Sequence, residues 1–160
     1  MNRTVIFVLA CLTVTTVGRT QSVLGEGSSI VEVPFELNRQ FGSILIRVKV
    51  NGEPAVLLVD TGSSHTILSA DLLGVNPLFL GRASTPVKGS GLIGIAGWTA
   101  ATIDLGTIKW TNRKVLAMSE FREISKSMKQ RVDGILGEDV LNDFTSVAID
   151  FKNRRLVLHR

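Results

Sequence analysis

The stretch with the clearest chemical content is Leu57-Leu58-Val59-Asp60-Thr61-Gly62-Ser63-Ser64. An apolar run leads straight into a carboxylate and then into a turn. A carboxylate buried beside apolar side chains is costly unless hydrogen-bond donors compensate it. Thr61, Ser63 and Ser64 bring hydroxyls, and Gly62 lets backbone N–H groups come close. Such a segment holds one carboxylate rigidly at the end of a strand. The triplet Asp-Thr-Gly alone also fits an ordinary surface turn after a strand, so its surroundings decide.

Other reactive side chains have no comparable setting. His65 lies near Asp60 and His159 near the C-terminus, where it is expected in a sheet edge, but neither is matched with a nucleophile in a recognisable motif, and both read as structural. Ser63 and Ser64 do not sit in a Gly-x-Ser-x-Gly elbow, which argues against a serine hydrolase. Two His, and one Cys confined to the N-terminal segment, give no basis for a zinc site. No metal and no cofactor is expected.

The elements that must position Asp60 read as short strands separated by turns. Residues 30–37 partly alternate, with Glu32 and Glu36 between apolar neighbours. Residues 44–50 alternate more cleanly, with Arg47 and Lys49 between Ile46, Val48 and Val50. Period-two alternation marks half-buried strands. Asn51-Gly52 signals a tight turn, and residues 55–59 return as an apolar strand that delivers Asp60. Further strands are expected at 66–68, 108–110, 115–118 and 134–136. Residues 85–105 read as a long glycine-punctuated hairpin, and 147–151 with 156–158 as a closing hairpin. Ser69 is placed as the N-cap of one helical turn. Residues 119–129 read as either a short helix or a loop, and 138–144 as the one clear helix. Many short strands and a single late helix argue for a closed or partly closed β-barrel. The βαβαβ pattern of a dinucleotide-binding fold is absent.

The chain has 160 residues, enough for one domain with a real core, and its 44% apolar and 20% charged composition is that of a globular protein. The net charge of +4 invites a nucleic-acid reading, but Lys and Arg are scattered among acids, and the densest group, Lys152-Asn153-Arg154-Arg155, falls in a turn. No nucleic-acid partner is expected. Residues 1–18 read as an export signal: Arg3, an uncharged apolar run at 5–17 and small residues at a cleavage site near Gly18. The run is short for a membrane span, and an uncleaved membrane anchor is the alternative reading. Residues 19–29 form a leader rich in Gly and Ser, and 30–160 form the folded domain, so the protein is expected to be exported, periplasmic or secreted.

Three features follow one another along the chain. An apolar strand runs into Asp60-Thr61-Gly62, a glycine-rich hairpin carries Gly89-Ser90-Gly91, and Asp133-Gly134-Ile135-Leu136-Gly137 precedes a short helix and a last hairpin. Together they resemble the retropepsin-like aspartic proteases, and single lobes of the pepsin-like enzymes, over about residues 41–159. The resemblance implies an all-β, closed β-barrel-like lobe with one short helix near the C-terminus. It implies that Asp60 is the catalytic acid and that Thr61 bonds across a dimer. It further implies that Gly62 permits the turn and that Ser63 donates to the outer carboxylate oxygen. Gly89, Ser90 and Gly91 would belong to a flap over the substrate, with residues 94–97 equally eligible for its tip, and Ile135, Leu136 and Gly137 would support the Asp60 loop from behind. The Ser63 contact would lower the carboxyl pKa, giving a more acidic optimum than in Ser63→Ala. The flap of the pepsin-like enzymes usually carries a Tyr, and this chain has none.

That chemistry needs two carboxylates around one water, and the chain carries one Asp-Thr-Gly. Asp133 lacks the Thr-Gly sequel, as do Asp71, Asp104, Asp139, Asp143 and Asp150. The second carboxylate must then come from another copy, in a twofold homodimer acting on a polypeptide substrate. Leu58, Ile93 and Ile135 are expected to favour apolar side chains beside the scissile bond. Two other readings stay open: a non-catalytic peptide-binding module on the same scaffold, and a structural β-barrel with a chance Asp-Thr-Gly.

Overall fold

The computed structural model describes residues 29–80 and 96–160. The expected export signal, nearly all of the leader and the expected flap residues Gly89, Ser90 and Gly91 lie outside the described residues.

Alternation sets the first strands. β1 (Ile30–Leu37) buries Val33 and Phe35, and β2 (Ile44–Val50) buries Ile46, Val48 and Val50 while Arg47 and Lys49 face out. The chain turns at Asn51 and Gly52, whose φ of 51° and 90° are left-handed, and returns as β3 (Glu53–Val59). Asn51 also ties this turn to a later strand, exchanging bonds with Thr102 at 2.8 and 2.9 Å. Then follow β4 (Ile67–Ser69), α1 (Ala70–Leu73), a 3-10 turn at Pro77–Phe79, β5 (Ala96–Leu105), β6 (Ile108–Met118), α2 (Phe121–Met128), β7 (Gly134–Leu136), α3 (Glu138–Leu141), β8 (Ser146–Asp150) and β9 (Arg155–His159).

Strands β3, β7, β4, β6, β5 and β2 are neighbours in that order, and the β2–β3 pairing closes them into a six-stranded barrel. Two of its pairings are parallel, β3 with β7 and β4 with β6. β1 leaves the barrel: residues Phe35 to Leu37 pair with β2, while Ile30 to Pro34 pair with β9, and β9 pairs with β8. A three-stranded sheet therefore hangs from the barrel. The barrel is filled by Ile46, Val50, Leu57, Ile103, Leu105, Val115 and Leu136, all fully buried. Each such side chain contributes about 1.5–3 kcal/mol of burial.

Three expectations are corrected. The described residues contain three α-helices, and the longest, α2, is not near the C-terminus. Its sequence is polar on average, yet Phe121, Ile124 and Met128 recur on one face and pack on a second cluster with Leu45, Ile67, Met118 and Ile135. The expected breaks at 111–114 vanish in the continuous β6, where Asn112 takes φ 55° and Val115, Lys114 and Arg113 keep pairing with β5. His159 sits in the middle strand of the outer sheet rather than at its edge.

The β8–β9 turn is tied by Asp150. Its carboxylate accepts from Asn153 N at 2.9 Å and from Asn153 Nδ2 at 2.6 Å, and these bonds hold its pKa below the ordinary 3.8. A depressed carboxyl pKa gives stability that is present above the unfolded value and lost as pH falls through the folded one. The turn therefore stays tied through mildly acid pH. Asn153→Ala should raise the Asp150 pKa toward its ordinary value, read by NMR titration of the carboxyl carbon; an unmoved titration would contradict this account of the turn.

Candidate active site

Asp60 is the first residue after β3, and its position is set by backbone. Val59 pairs in parallel with Leu136, and Asp60 N donates to Leu136 O at 3.1 Å. The turn then folds back: Ser63 N donates to Asp60 O at 3.2 Å, and Gly62 N donates to Asp60 Oδ1 at 2.8 Å. The last bond orients the carboxylate from the side of the glycine. Thr61 and Gly62 are exposed and Asp60 is half-buried.

The segment Ile135, Leu136 and Gly137 runs behind this turn. A Cβ on Gly137 would lie 2.5 Å from the carbonyl carbon and oxygen of His65 and 2.9 Å from Ser63 O. Only glycine lets the two backbones cross so closely. Just past the crossing, Glu138 N donates to Ser63 O at 2.8 Å. Buried Thr66 completes the join, accepting from Gly137 N at 3.2 Å and donating to Asp139 Oδ1 at 2.8 Å. α3 is held in turn by Arg113, which donates to Asp139 O and pairs with Asp143 at 2.9 Å, while Trp110 Nε1 donates to the same Asp143 oxygen at 2.6 Å.

Asp133 is a structural carboxylate. It accepts from Val56 N at 2.8 Å and pairs with Arg131 at 2.8 Å, which pins β3 beside β7. His65 packs edge-on to Trp98, ring centres 5.0 Å apart, and Lys114 Nζ lies over the Trp98 ring, 4.3 Å from its centre.

Ser63 departs from its expected role. The side chain is buried, and its hydroxyl donates to His65 O at 2.8 Å. A hydroxyl has one proton to give, and this one stiffens the loop instead of binding the Asp60 carboxylate.

Beside Asp60 and Thr61 opens a cavity of about 700 Å³. Leu58 and Ile135, both expected from the sequence, line it; Ile93 lies outside the described residues. Sequence reasoning missed the other walls. Phe121, Ile124 and Met128 of α2 form one, and Phe41 to Ile44 with Ile149 of β8 form another. The i, i+3, i+7 spacing in α2 was the available signal.

The family model for aspartyl proteases matches residues 46–140, which include both the Asp60 loop and the Gly137 crossing. The chain belongs to the aspartyl protease family. Among solved structures, this aspartyl protease is similar to a retropepsin-like aspartic protease from Rickettsia conorii, with 22% identity and a TM-score of 0.59 over 83% of this chain and 93% of that one. It also matches the EIAV protease complexed with the inhibitor HBY-793, with 20% identity and a TM-score of 0.44 over 66% and 90% of the two chains. A third match is the retroviral protease-like domain of Ddi1 from Leishmania major, with 16% identity and a TM-score of 0.45 over 71% and 91%. No curated protein matches the chain. The fold is retropepsin-like.

Ser63→Ala should cost about 1 kcal/mol, the loss of one buried hydrogen bond, and lower Tm by roughly 2–4 °C. The pH optimum of cleavage should stay in place. A shifted optimum with unchanged Tm would return the Ser63 proton to the Asp60 carboxylate.

Proposed function

We propose that this aspartyl protease is an endopeptidase in which the Asp60 carboxylates of two identical subunits activate one water. The observation that carries the reading is Asp60 itself: a carboxylate placed by the β3–β7 pairing, oriented by Gly62 N–H, and facing an apolar cavity large enough for substrate side chains. One ionised carboxylate takes a proton from the water as its oxygen attacks the peptide carbonyl carbon. The other, protonated, gives its proton to the carbonyl oxygen. Two close carboxylates share a proton because both cannot easily ionise, as is general for aspartic proteases.

The homodimer follows from the count of one Asp-Thr-Gly per chain. Thr61, exposed beside Asp60, is the residue assigned to bond across the dimer, and Gly89, Ser90 and Gly91 are assigned to the flap. The substrate is an extended polypeptide with apolar side chains next to the scissile bond, received among Leu58, Ile135 and the α2 face. Arg3 and the apolar run at 5–17 support an exported protein.

The test is cleavage of a diverse peptide library from mildly acid to neutral pH by the protein and by Asp60→Asn. The reading expects cleavage at bonds flanked by apolar residues, abolished in the variant. Peptide binding with no cleavage by either protein would replace the protease with a binding module.

A further inference from the structure

Two walls of the cavity beside Asp60 come from distant parts of the chain. One is the loop after β1, from Phe41 to Ile44, and the other is α2. A single buried carboxamide joins them. Asn38 directly follows β1, at the start of that loop, and is only 4% exposed.

Every hydrogen-bonding group of Asn38 is used. Its Oδ1 accepts from Gln40 N and from Phe41 N, both at 3.1 Å, which folds the loop around the side chain. Its backbone closes the same loop: Asn38 N donates to Ser43 O at 2.9 Å, and Asn38 O accepts from Gly42 N at 2.8 Å. Its Nδ2 donates to Met128 O at 2.9 Å and to Gln130 Oε1 at 3.0 Å, across 90 and 92 residues of sequence. A carboxamide has two N–H bonds to give and two lone pairs to offer, so the side chain is saturated. Its orientation is fixed as well, because a flipped amide would set N–H against N–H and oxygen against oxygen.

Met128 ends α2, and the last carbonyls of a helix have no partner within it. Asn38 therefore caps α2 and spaces it from the loop with one group. Gln130 carries the join outward, donating from Nε2 to Glu36 Oε2 at 3.1 Å. The Met128 side chain packs in the same apolar cluster as Leu45, just past the loop. Apolar attraction draws the two walls together without direction. The amide sets how far apart they stop.

We propose that Asn38 is a positioning residue for substrate selection: it fixes the gap between Phe41 and Met128, and with it the size of apolar side chain that the cavity admits. The inference rests on the protease reading above. Asn38 is not among the residues that line the cavity, so it acts through the two walls. An oxygen in place of Nδ2 would face Met128 O and Gln130 Oε1, both acceptors, and would push α2 away from the loop. A wider gap favours larger side chains.

The test uses two peptides that differ only in one apolar residue beside the scissile bond, Val in one and Phe in the other. At neutral pH, Asn38→Asp should shift the ratio of their kcat/KM toward Phe by about tenfold, roughly what one methylene is worth in an apolar pocket. The shift should lie in KM, since Asn38 touches neither Asp60 nor the bond that breaks. Gln130→Met removes one of the two Nδ2 acceptors and should move the ratio the same way by a smaller factor; it decides the matter if Asn38→Asp does not fold. Equal losses on both peptides, or a loss in kcat alone, would overturn the proposal. Binding of the same peptides to Asp60→Asn, with and without the second substitution, separates this inference from the protease reading. A binding ratio that shifts toward Phe while the wild type cleaves nothing would keep the role of Asn38 and overturn the protease. A protein that binds neither peptide would overturn both.

Discussion

The geometry at Asp60 depends on one backbone crossing. Gly137 passes so close to His65 that a single methyl group there would lie 2.5 Å from its carbonyl. Because the crossing is so tight, Glu138 N can reach Ser63 O, and β7 runs close enough behind for Leu136 O to receive Asp60 N. The Asp60 turn is thus fastened at both ends to one short segment, with buried Thr66 bridging that segment to α3. Bonds of this kind are worth about 1 kcal/mol each. Their larger effect is positional, since catalytic groups lose rate steeply when misplaced by an ångström.

The surroundings of the carboxylate complement this rigidity. α2 and the loop before β2 raise a largely apolar wall around the cavity, and an apolar wall strengthens polar interactions at the carboxylate beside it. The α2 part of that wall belongs to the second hydrophobic cluster, so it is part of the core and not an appended loop. Cavity lining and fold stability are therefore coupled through Phe121, Met128 and Ile135.

Much of this was legible in the sequence where local pattern and tertiary role agree. Alternation gave β1 and β2 with their observed bounds, Asn51-Gly52 gave the turn, and the order of motifs gave the barrel and the segment behind Asp60. Reading failed where a local signal was ambiguous. Thr111 to Lys114 are polar because that stretch of β6 is exposed, and polarity there imitated a loop. The α2 segment stayed open between helix and loop because only Phe121, Ile124 and Met128 of its eight residues pack on the apolar cluster. The direction of the Ser63 proton was invisible for a different reason. Sequence shows that a hydroxyl is present, but its acceptor depends on where the His65 carbonyl lies in space.

The central claim is that each active centre draws one Asp60 from each of two chains. It is tested most directly by mixing wild type with Asp60→Asn at constant total protein, after exchange of subunits, and measuring cleavage. The account predicts activity proportional to the square of the wild-type fraction, about a quarter in an equal mixture, because mixed dimers hold one carboxylate. Activity falling in simple proportion, to about half, would mean that one chain carries a complete site.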